Sequence, residues 1–358
     1  MKAPDHTFAS VAQIADFDTI IDVRSPSEFA EDHVPGAINC PVLDDQERIR
    51  VGTLYKQVSP FEARKVGAVL VARNIAHHIE THFSGHPKSW RPLVYCWRGG
   101  QRSGAFTHIL REIGWSARRL EGGYKQWRHH VLDGLASLPA QLQFKVVAGP
   151  TGCGKSRLLQ AMARQGAQVL HLEALAAHKG SVLGGLPGAR QPSQKMFDTG
   201  LYSALNQFDP ARPVFVESES RRIGLMTLPD AMVKAIASSP IVRISAEIPA
   251  RVDFLLRDYD YLCNAERLNE LLPRLKEIQG KEVIQRWQAL AEAKDFRTLV
   301  AELLERHYDP LYARSLNRQL QNRGDDLVFQ AQGLTDADIE RLANAVLVRV
   351  NEHSNPVR

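Results

Sequence analysis

The sequence of 358 residues has only four cysteines, Cys40, Cys96, Cys153 and Cys263, and none of them forms a C-x-x-C pair. This spacing excludes a disulfide-rich secreted fold and favours a reducing, cytoplasmic environment. No apolar run approaches membrane-spanning length, and the opening MKAPDHTFAS lacks the apolar core of a signal peptide. Repeats and low-complexity segments are also missing, so we expect an ordinary globular protein without membrane association.

The length of the chain predicts two domains with separate cores. A stretch rich in small residues, DGLASLPAQ (133–141), marks the boundary, which places one domain at 1–135 and the other at 140–358. The net charge of +5 is a mild excess. It is compatible with a polyanionic partner but does not by itself require one.

The first domain shows the alternation of strands and helices that is typical of a parallel sheet. Strands are predicted at TIIDVR (19–24), PLVYC (92–96) and ARRLEGG (117–123). After the second of these, apolar residues recur at helical spacing, which predicts a helix that begins near Arg102 and stops at Gly114. A short helical segment, YKQWRHHVL, follows the third strand.

The pattern restarts at FKVVAGPTGCGKSRLLQAMARQG (144–166), which predicts a strand, a glycine-rich turn and a helix. Further strands are predicted at 168–173, 213–218 and 240–247. From about residue 250 the chain is predicted to be mostly helical, and Thr335 and Asp338 have capping-box spacing at the start of the last helix. The fold class is therefore α/β, with a helical C-terminal part.

The glycine-rich turn in the second domain matches G-x-x-x-x-G-K-[ST] and lies between a predicted strand and helix, as that motif requires. Its backbone N–H groups can surround a phosphate, the lysine can reach the outer phosphates, and the serine can bind Mg²⁺. The predicted phosphate-binding residues are Gly149, Pro150, Thr151, Gly152, Cys153, Gly154, Lys155 and Ser156.

Two acidic residues, Glu217 and Glu219, lie at the end of a buried strand of the same domain. They are candidates to hold a metal or to activate water, but ordinary strand-end carboxylates explain them equally well. Arg221 is a candidate anion contact beside them. No metal-ligand cluster is expected, since His77, His78, His82 and His86 fit a solvated helix face better than a metal site.

Cys96 ends a strand and is followed by a loop that contains two glycines and two arginines, VYCWRGGQRSGA (94–105). A cysteine at a helix N-terminus beside arginines favours the thiolate, and the same loop can bind an oxyanion next to the sulfur. A buried structural cysteine fits these neighbours poorly. We therefore expect a catalytic Cys96 in an anion-binding cradle formed by Trp97, Arg98, Gly99, Gly100, Gln101 and Arg102.

The segments IDVRSPSEF…HVPGAIN, VYCWRGGQRS and LEGGYKQW together resemble a rhodanese domain, which carries sulfur or selenium on its cysteine. That domain followed by a P-loop domain resembles the tRNA 2-selenouridine synthases. The resemblance extends through LEALAAHKGSVLG (172–184), QPSQKMFD (191–198), VESESRRIG (217–224) and YDPLY (308–312), and so covers nearly the whole chain.

The resemblance implies an enzyme that replaces the sulfur of wobble 2-thiouridine in tRNA with selenium from selenophosphate. It further implies an S-geranyl intermediate made from geranyl diphosphate, because a geranylated sulfur is a better leaving group than a thiocarbonyl sulfur. Cys96 would then handle the selenium. No tightly bound cofactor is expected, although Mg²⁺ remains possible.

One departure leaves alternatives open. Cys96 and Arg102 form C-x5-R, one residue longer than the loop of simple thiosulfate sulfurtransferases and similar to that of dual-specificity phosphatases. The longer loop suits a phosphate-bearing donor, and it also allows a phosphatase–kinase fusion. A third alternative is a thiosulfate sulfurtransferase with a regulatory nucleotide-binding P-loop. The basic stretch from Arg118 to His130 is compatible with RNA contact or with a solvated face.

Overall fold

The computed structural model describes residues 7–180, 185, 188, 190–260, 263–319 and 326–354. The chain forms two compact units. The first unit contains residues 1–135 together with 192–203, and the second contains 136–191 and 204–358. A short segment from the middle of the sequence therefore belongs to the N-terminal unit.

The first unit is built on a five-stranded parallel sheet in the order β1-β5-β4-β2-β3. Its strands are β1 (Phe8–Ala9), β2 (Thr19–Asp22), β3 (Ala37–Asn39), β4 (Pro92–Tyr95) and β5 (Arg118–Leu120). The three strands predicted for this domain are present, although each ends earlier than expected. All four residues of the central β4 are buried, as expected for a parallel strand covered on both faces.

The helices of the first unit are α1 (Pro26–Glu31), α2 (Asp45–Gln57), α3 (Pro60–His78), α4 (Gln101–Ile113) and α5 (Gly123–Ser137). Helix α4 begins one residue before the expected start. It ends at Gly114, whose left-handed φ of 106° provides the usual C-terminal stop. Helices α2 and α3 form a hairpin, named here the α2–α3 hairpin (residues 45–78), which the sequence analysis did not anticipate.

Residues 192–203 form most of α8 (Gln194–Leu205), and they bond to the N-terminal unit through several polar contacts. Asp198 forms an ion pair with Arg128, and the Thr199 hydroxyl donates to Asp32 Oδ2 at 3.1 Å. Asp198 and Thr199 are both buried. This placement explains why Arg128 and His130, two residues of the basic stretch, make contacts inside the unit.

The second unit contains another five-stranded parallel sheet, in the order β12-β11-β6-β8-β7. Its strands are β6 (Gln143–Ala148), β7 (Gln168–Leu170), β8 (Pro213–Glu217), β11 (Ile241–Ala246) and β12 (Leu327–Ala331). A separate two-stranded antiparallel sheet joins β9 (Arg222–Ile223) and β10 (Met226–Thr227). Two parallel-sheet units confirm the predicted α/β class.

Helices dominate the second unit after residue 247, as predicted, but β12 lies within this region and pairs with β11. The helices of the unit are α6 (Lys155–Arg164), α7 (Leu172–Leu175), α9 (Asp230–Ser238), α10 (Ile248–Asp258), α11 (Ala265–Leu271), α12 (Lys276–Gln279), α13 (Lys281–Glu292), α14 (Phe296–Leu303), α15 (Asp309–Gln319) and α16 (Asp336–Ser354). The expected capping box at α16 is present, because Asp338 Oδ2 accepts from Thr335 N at 3.0 Å. Within the described parts of the chain, no helix is both long and apolar enough to cross a membrane.

Candidate active sites

Cys96 lies where β4 ends and the chain turns into α4. The thiol is buried, and its Sγ lies 3.3 Å from the hydroxyl of Ser103 in the first turn of that helix. Between them the chain turns sharply at Gly99, with φ of 65°, and Gly100 precedes the first helical residue. The loop therefore places the cysteine beside the N-terminus of a 13-residue helix, as the sequence predicted.

The segment LEGGYKQW packs against the cysteine loop and donates hydrogen bonds to it. The backbone N–H groups of Tyr124 and Lys125 donate to the carbonyls of Cys96 and Trp97, each at 2.9 Å. A Cβ atom on Gly123 would lie only 2.3 Å from the Cys96 carbonyl oxygen. Glycine is required at this position because the two backbones touch there.

The arginines of the loop differ in their surroundings. Arg98 is exposed. Arg102 donates to Glu28 Oε2 at 2.9 Å, and the same oxygen lies 3.1 Å from Arg48 Nε at the start of α2. Burial alone would raise the pKa of Glu28, but the hydrogen bond and charge of Arg102, together with Arg48, lower it overall. An anionic ligand that binds Arg102 would therefore have to displace the Glu28 carboxylate.

A buried ionic network lies at the carboxyl end of β2, next to this loop. Arg24 forms a bidentate pair with Asp22, with its Nη2 2.6 Å from Oδ2, and both side chains are fully buried. The same guanidinium donates to the Asp32 carbonyl and stacks on the Tyr124 ring at 3.9 Å. Since Tyr124 N also bonds to the Cys96 carbonyl, the network fixes the segment that supports the loop.

The P-loop of the second unit joins β6 to α6, in the context that the motif requires. Gly152 and Gly154 have positive φ values of 82° and 73°. A Cβ on Gly149 would lie 2.4 Å from the Ile244 carbonyl oxygen, so the loop also needs glycine for close packing. Cys153 is buried, and burial raises the pKa of its thiol, which suits a structural residue rather than a second nucleophile.

Two polar side chains of the P-loop, those of Lys155 and Ser156, are hydrogen-bonded within the unit. Lys155 Nζ donates to the carbonyl of Gly149 at 2.8 Å, and the Ser156 hydroxyl donates to Glu173 Oε2 at 2.7 Å. Glu173 lies in α7 and was not singled out by the sequence analysis. Only the segment in which it lies, LEALAAHKGSVLG, was noted, and residues 181–184 of that segment lie outside the described residues.

The two acidic residues at the end of β8 differ in environment. Glu217 is buried, accepts a hydrogen bond from Leu172 N at 2.8 Å, and has a pKa that burial raises to about 8. Glu219 lines the same cavity as Lys155 and Ser156, and burial raises its pKa to about 7. Arg221 instead pairs with the exposed Asp230, with its Nη2 2.5 Å from Oδ1. The structure thus brings Glu219 to the P-loop and directs Arg221 elsewhere.

A cavity of about 510 Å³ opens beside the P-loop. Its polar end contains Lys155, Ser156, Glu173 and Glu219. The remaining wall is largely apolar and comes from α10, α14 and the residues that follow α14; among its members are Phe254, Leu255, Leu299, Leu303, Leu304 and Tyr308. Sequence analysis did not find this wall, because its residues lie about 100 to 150 positions after the loop and have no motif of their own.

Each half of the chain also matches a known protein family. Residues 8–130 match the rhodanese-like domain, and residues 142–271 match the tRNA 2-selenouridine synthase AAA domain. The fold and the two loops therefore define a rhodanese-like domain and a P-loop domain within a single chain.

Curated relatives share this arrangement over nearly their full length. The tRNA 2-selenouridine synthase of Nitrosomonas europaea is 31% identical over 372 residues, which covers 90% of this chain and 95% of the relative. The enzymes of that name from Alcanivorax borkumensis and Cupriavidus pinatubonensis are each 32% identical, over 87% and 90% of this chain and 92% and 95% of theirs. The chain belongs to the tRNA 2-selenouridine synthase family, which confirms the resemblance seen in the sequence.

Proposed function

We propose that this protein is a cytoplasmic tRNA 2-selenouridine synthase that works in two steps, one in each unit. The P-loop unit attaches a geranyl group from geranyl diphosphate to the sulfur of wobble 2-thiouridine. The rhodanese-like unit then directs replacement of that sulfur by selenium from selenophosphate. The relatives' shared name supports the overall reaction, and the geometry of the two loops supports the assignment of the steps.

The observation that carries the geranyl step is the cavity, which has a phosphate loop at one end and an apolar wall at the other. Geranyl diphosphate has the matching form, with a charged diphosphate head and a ten-carbon apolar tail. A nucleotide would present a polar base and sugar to Phe254, Leu299 and Leu303, and those side chains offer few hydrogen-bond partners. The cavity therefore favours a prenyl diphosphate over a nucleotide.

In the first step the bond between geranyl C1 and the diphosphate oxygen breaks, a bond from C1 to sulfur forms, and N3 of the base gives up its proton to water. Negative charge develops on the departing diphosphate, where the P-loop N–H groups and Lys155 would stabilise it. Lys155 would exchange its hydrogen bond with the Gly149 carbonyl for the diphosphate. Ser156 and Glu173 supply oxygen atoms that suit a Mg²⁺ ion accompanying the diphosphate.

In the second step the selenium of selenophosphate forms a bond to carbon 2 of the base as the bond from carbon 2 to the geranylated sulfur breaks. The sulfur leaves with a proton as geranyl thiol, and water then cleaves the P–Se bond and releases phosphate. We assign the handling of selenium to Cys96, whose thiol ends a parallel strand beside a helix N-terminus. The phosphate part of selenophosphate would bind the loop N–H groups between Trp97 and Arg102. Exposed Arg98 adds positive charge at the same loop.

Mass spectrometry of nucleosides tests both steps, using 2-thiouridine tRNA incubated with geranyl diphosphate and selenophosphate. Cys96→Ser replaces an ionisable thiol with a hydroxyl of similar size, so S-geranyl-2-thiouridine should accumulate without 2-selenouridine. Lys155→Ala removes the charge that faces the diphosphate, so geranylation should be lost. A Cys96→Ser variant that still forms selenouridine would contradict the assigned role of the cysteine.

Matched controls exist for both variants. Cys40→Ala removes a buried thiol whose pKa burial raises to about 12, so it should leave both steps intact. Arg164→Ala removes a positive charge from the far end of the same helix as Lys155. Equal loss of geranylation in Arg164→Ala and Lys155→Ala would show that the P-loop charge has no specific role.

A further inference from the structure

The α2–α3 hairpin exposes several large apolar side chains. Ile49, Tyr55, Val58 and Phe61 are 61%, 55%, 66% and 65% exposed. None of the residues of α2, all of which the structure describes, is buried. One side of α2 packs on α3, and its first turn contacts α1 through Asp45 and Arg48. Four such side chains within 13 residues exceed the scattered apolar exposure of an ordinary surface.

Basic residues are interleaved with these apolar side chains. Residues 45–78 contain six lysine and arginine residues and three acidic ones. Arg50, Lys56 and Arg64 are exposed and form no ion pair with any of the described residues. An interface with another protein would gain little from three positive charges that lack an ion-pair partner. A single-stranded nucleic acid would use both kinds of side chain, since its phosphates contact the basic residues and its bases stack on the aromatic ones.

Three of the six basic residues in the other basic segment of this unit, Arg118 to His130, make contacts inside the unit. Arg128 pairs with Asp198, Arg119 lies 4.2 Å from the centre of the Phe8 ring, and His130 contacts the Tyr202 hydroxyl at 2.7 Å. These contacts remove much of the stretch from consideration as an open RNA surface. In the α2–α3 hairpin Arg48, Lys65 and Arg73 form ion pairs, and Arg50, Lys56 and Arg64 are the charges that remain available.

The hairpin also begins next to the cysteine loop. Glu28 Oε2 lies 3.1 Å from Arg48 Nε in α2 and accepts a hydrogen bond from Arg102 at 2.9 Å. The Glu28 side chain therefore links the first turn of α2 to α4, the helix that follows Cys96. RNA bound along the hairpin would have part of its length beside the selenium-handling loop.

We propose that the exposed surface of the α2–α3 hairpin binds the tRNA substrate, with Arg50, Lys56 and Arg64 contacting phosphates and Tyr55 and Phe61 stacking on unpaired bases. This inference rests on the proposed function, because that function makes tRNA the substrate. The anticodon loop, which contains the wobble position, supplies unpaired bases next to a backbone of phosphates.

Fluorescence anisotropy with a labelled tRNA that carries 2-thiouridine tests the proposal with the full chain. The triple variant Arg50→Gln, Lys56→Gln, Arg64→Gln should weaken binding about 10-fold or more near 0.1 M salt. It should also lower the slope of log affinity against log salt by about 2 to 3, since each lost phosphate contact removes about 1 or slightly less. Tyr55→Ser and Phe61→Ser should each weaken binding about 5-fold with an unchanged salt slope.

The control is Lys88→Gln, Lys276→Gln, Lys281→Gln, which removes the same number of exposed charges elsewhere. Lys88 precedes β4 and Cys96 follows it, so the two residues lie toward opposite ends of that strand. This control should retain affinity within about 2-fold. Equal weakening by both triple variants would overturn the proposal, because it would indicate a general charge effect.

The remaining outcomes separate this inference from the proposed function. Unchanged tRNA affinity in the hairpin variants would overturn the hairpin assignment and leave the synthase function intact. No tRNA binding by the unaltered protein would overturn the function itself. An exposed apolar surface can instead bind a second copy of the chain, and analytical ultracentrifugation detects the resulting dimer. A dimer that Tyr55→Ser and Phe61→Ser dissociate, with tRNA affinity unchanged, would make the hairpin a self-association surface and overturn the inference.

Discussion

Gly123 offers a direct test of how the cysteine loop is held. Its φ is 61°, and an added Cβ would lie 2.3 Å from the Cys96 carbonyl oxygen and 2.4 Å from Gly99 N. These are backbone atoms, which cannot rotate away as a side chain can. In Gly123→Ala the positive φ costs about 1 to 2 kcal/mol. Relief of the overlap adds about 1 to 3 kcal/mol. We therefore expect the free energy of unfolding of the first unit to fall by roughly 3 kcal/mol.

The matched control is Gly36→Ala, in the same unit. Gly36 has φ of 77°, and an added Cβ would meet nothing within 4 Å, so this variant isolates the backbone cost. Urea unfolding measures both losses of stability, and mass spectrometry of iodoacetamide-treated protein measures the alkylation rate of Cys96. Gly123→Ala should alter that rate, and Gly36→Ala should not. Equal destabilisation by the two substitutions would refute the argument that close packing of two backbones fixes the loop.

Two further variants test buried charges. Burial raises the pKa of Glu217 to about 8 from the ordinary 4.5, so the free energy of unfolding should fall as pH rises from about 4.5 to about 8 and then level off. Glu217→Gln should flatten this dependence, and above pH 8 it should be more stable than the original protein by about 5 kcal/mol at most, as measured by urea unfolding. An unchanged pH dependence would contradict this expectation. Asp198→Ala breaks the pair with Arg128 and should speed hydrogen exchange in residues 194–203, whereas unchanged exchange would show that other contacts hold this segment.

The sequence predicted the elements whose signals are local. Buried apolar runs marked β4, β6 and β8, and the cysteine loop and the P-loop follow two of these strands. Phosphate-loop and cysteine-loop motifs depend on glycine at fixed offsets, so they are visible without any tertiary information. The predicted residues Lys155 and Ser156 accordingly lie in one cavity with Glu219.

Elements that depend on distant partners could not be predicted in this way. Helix α2 has no buried residue, so it lacks the apolar stripe by which a helix is found in sequence. Strand β12 is short and follows a long helical region, and only its pairing with β11 explains it. The membership of residues 192–203 in the first unit depends on Asp32 and Arg128, which lie more than 60 positions away.

Glu28 provides a last test, because its carboxylate accepts a hydrogen bond from the Arg102 guanidinium. Selenophosphate bound at the cysteine loop would use the same guanidinium. The Arg102 side chain is about one-fifth exposed and donates to Glu28 at 2.9 Å. In Glu28→Gln the shape is kept and the negative charge is lost, so Arg102 should contribute more positive potential to the cysteine loop. Inorganic phosphate should then protect Cys96 from iodoacetamide at concentrations about 3- to 10-fold lower than in the original protein, which corresponds to about 1 kcal/mol. The same helix offers a control: Glu31→Gln removes an equal charge from a side chain that pairs with Lys195 instead of Arg102, and it should leave protection unchanged. Weaker protection in Glu28→Gln would show instead that the carboxylate orients Arg102 for the anion and does not compete with it.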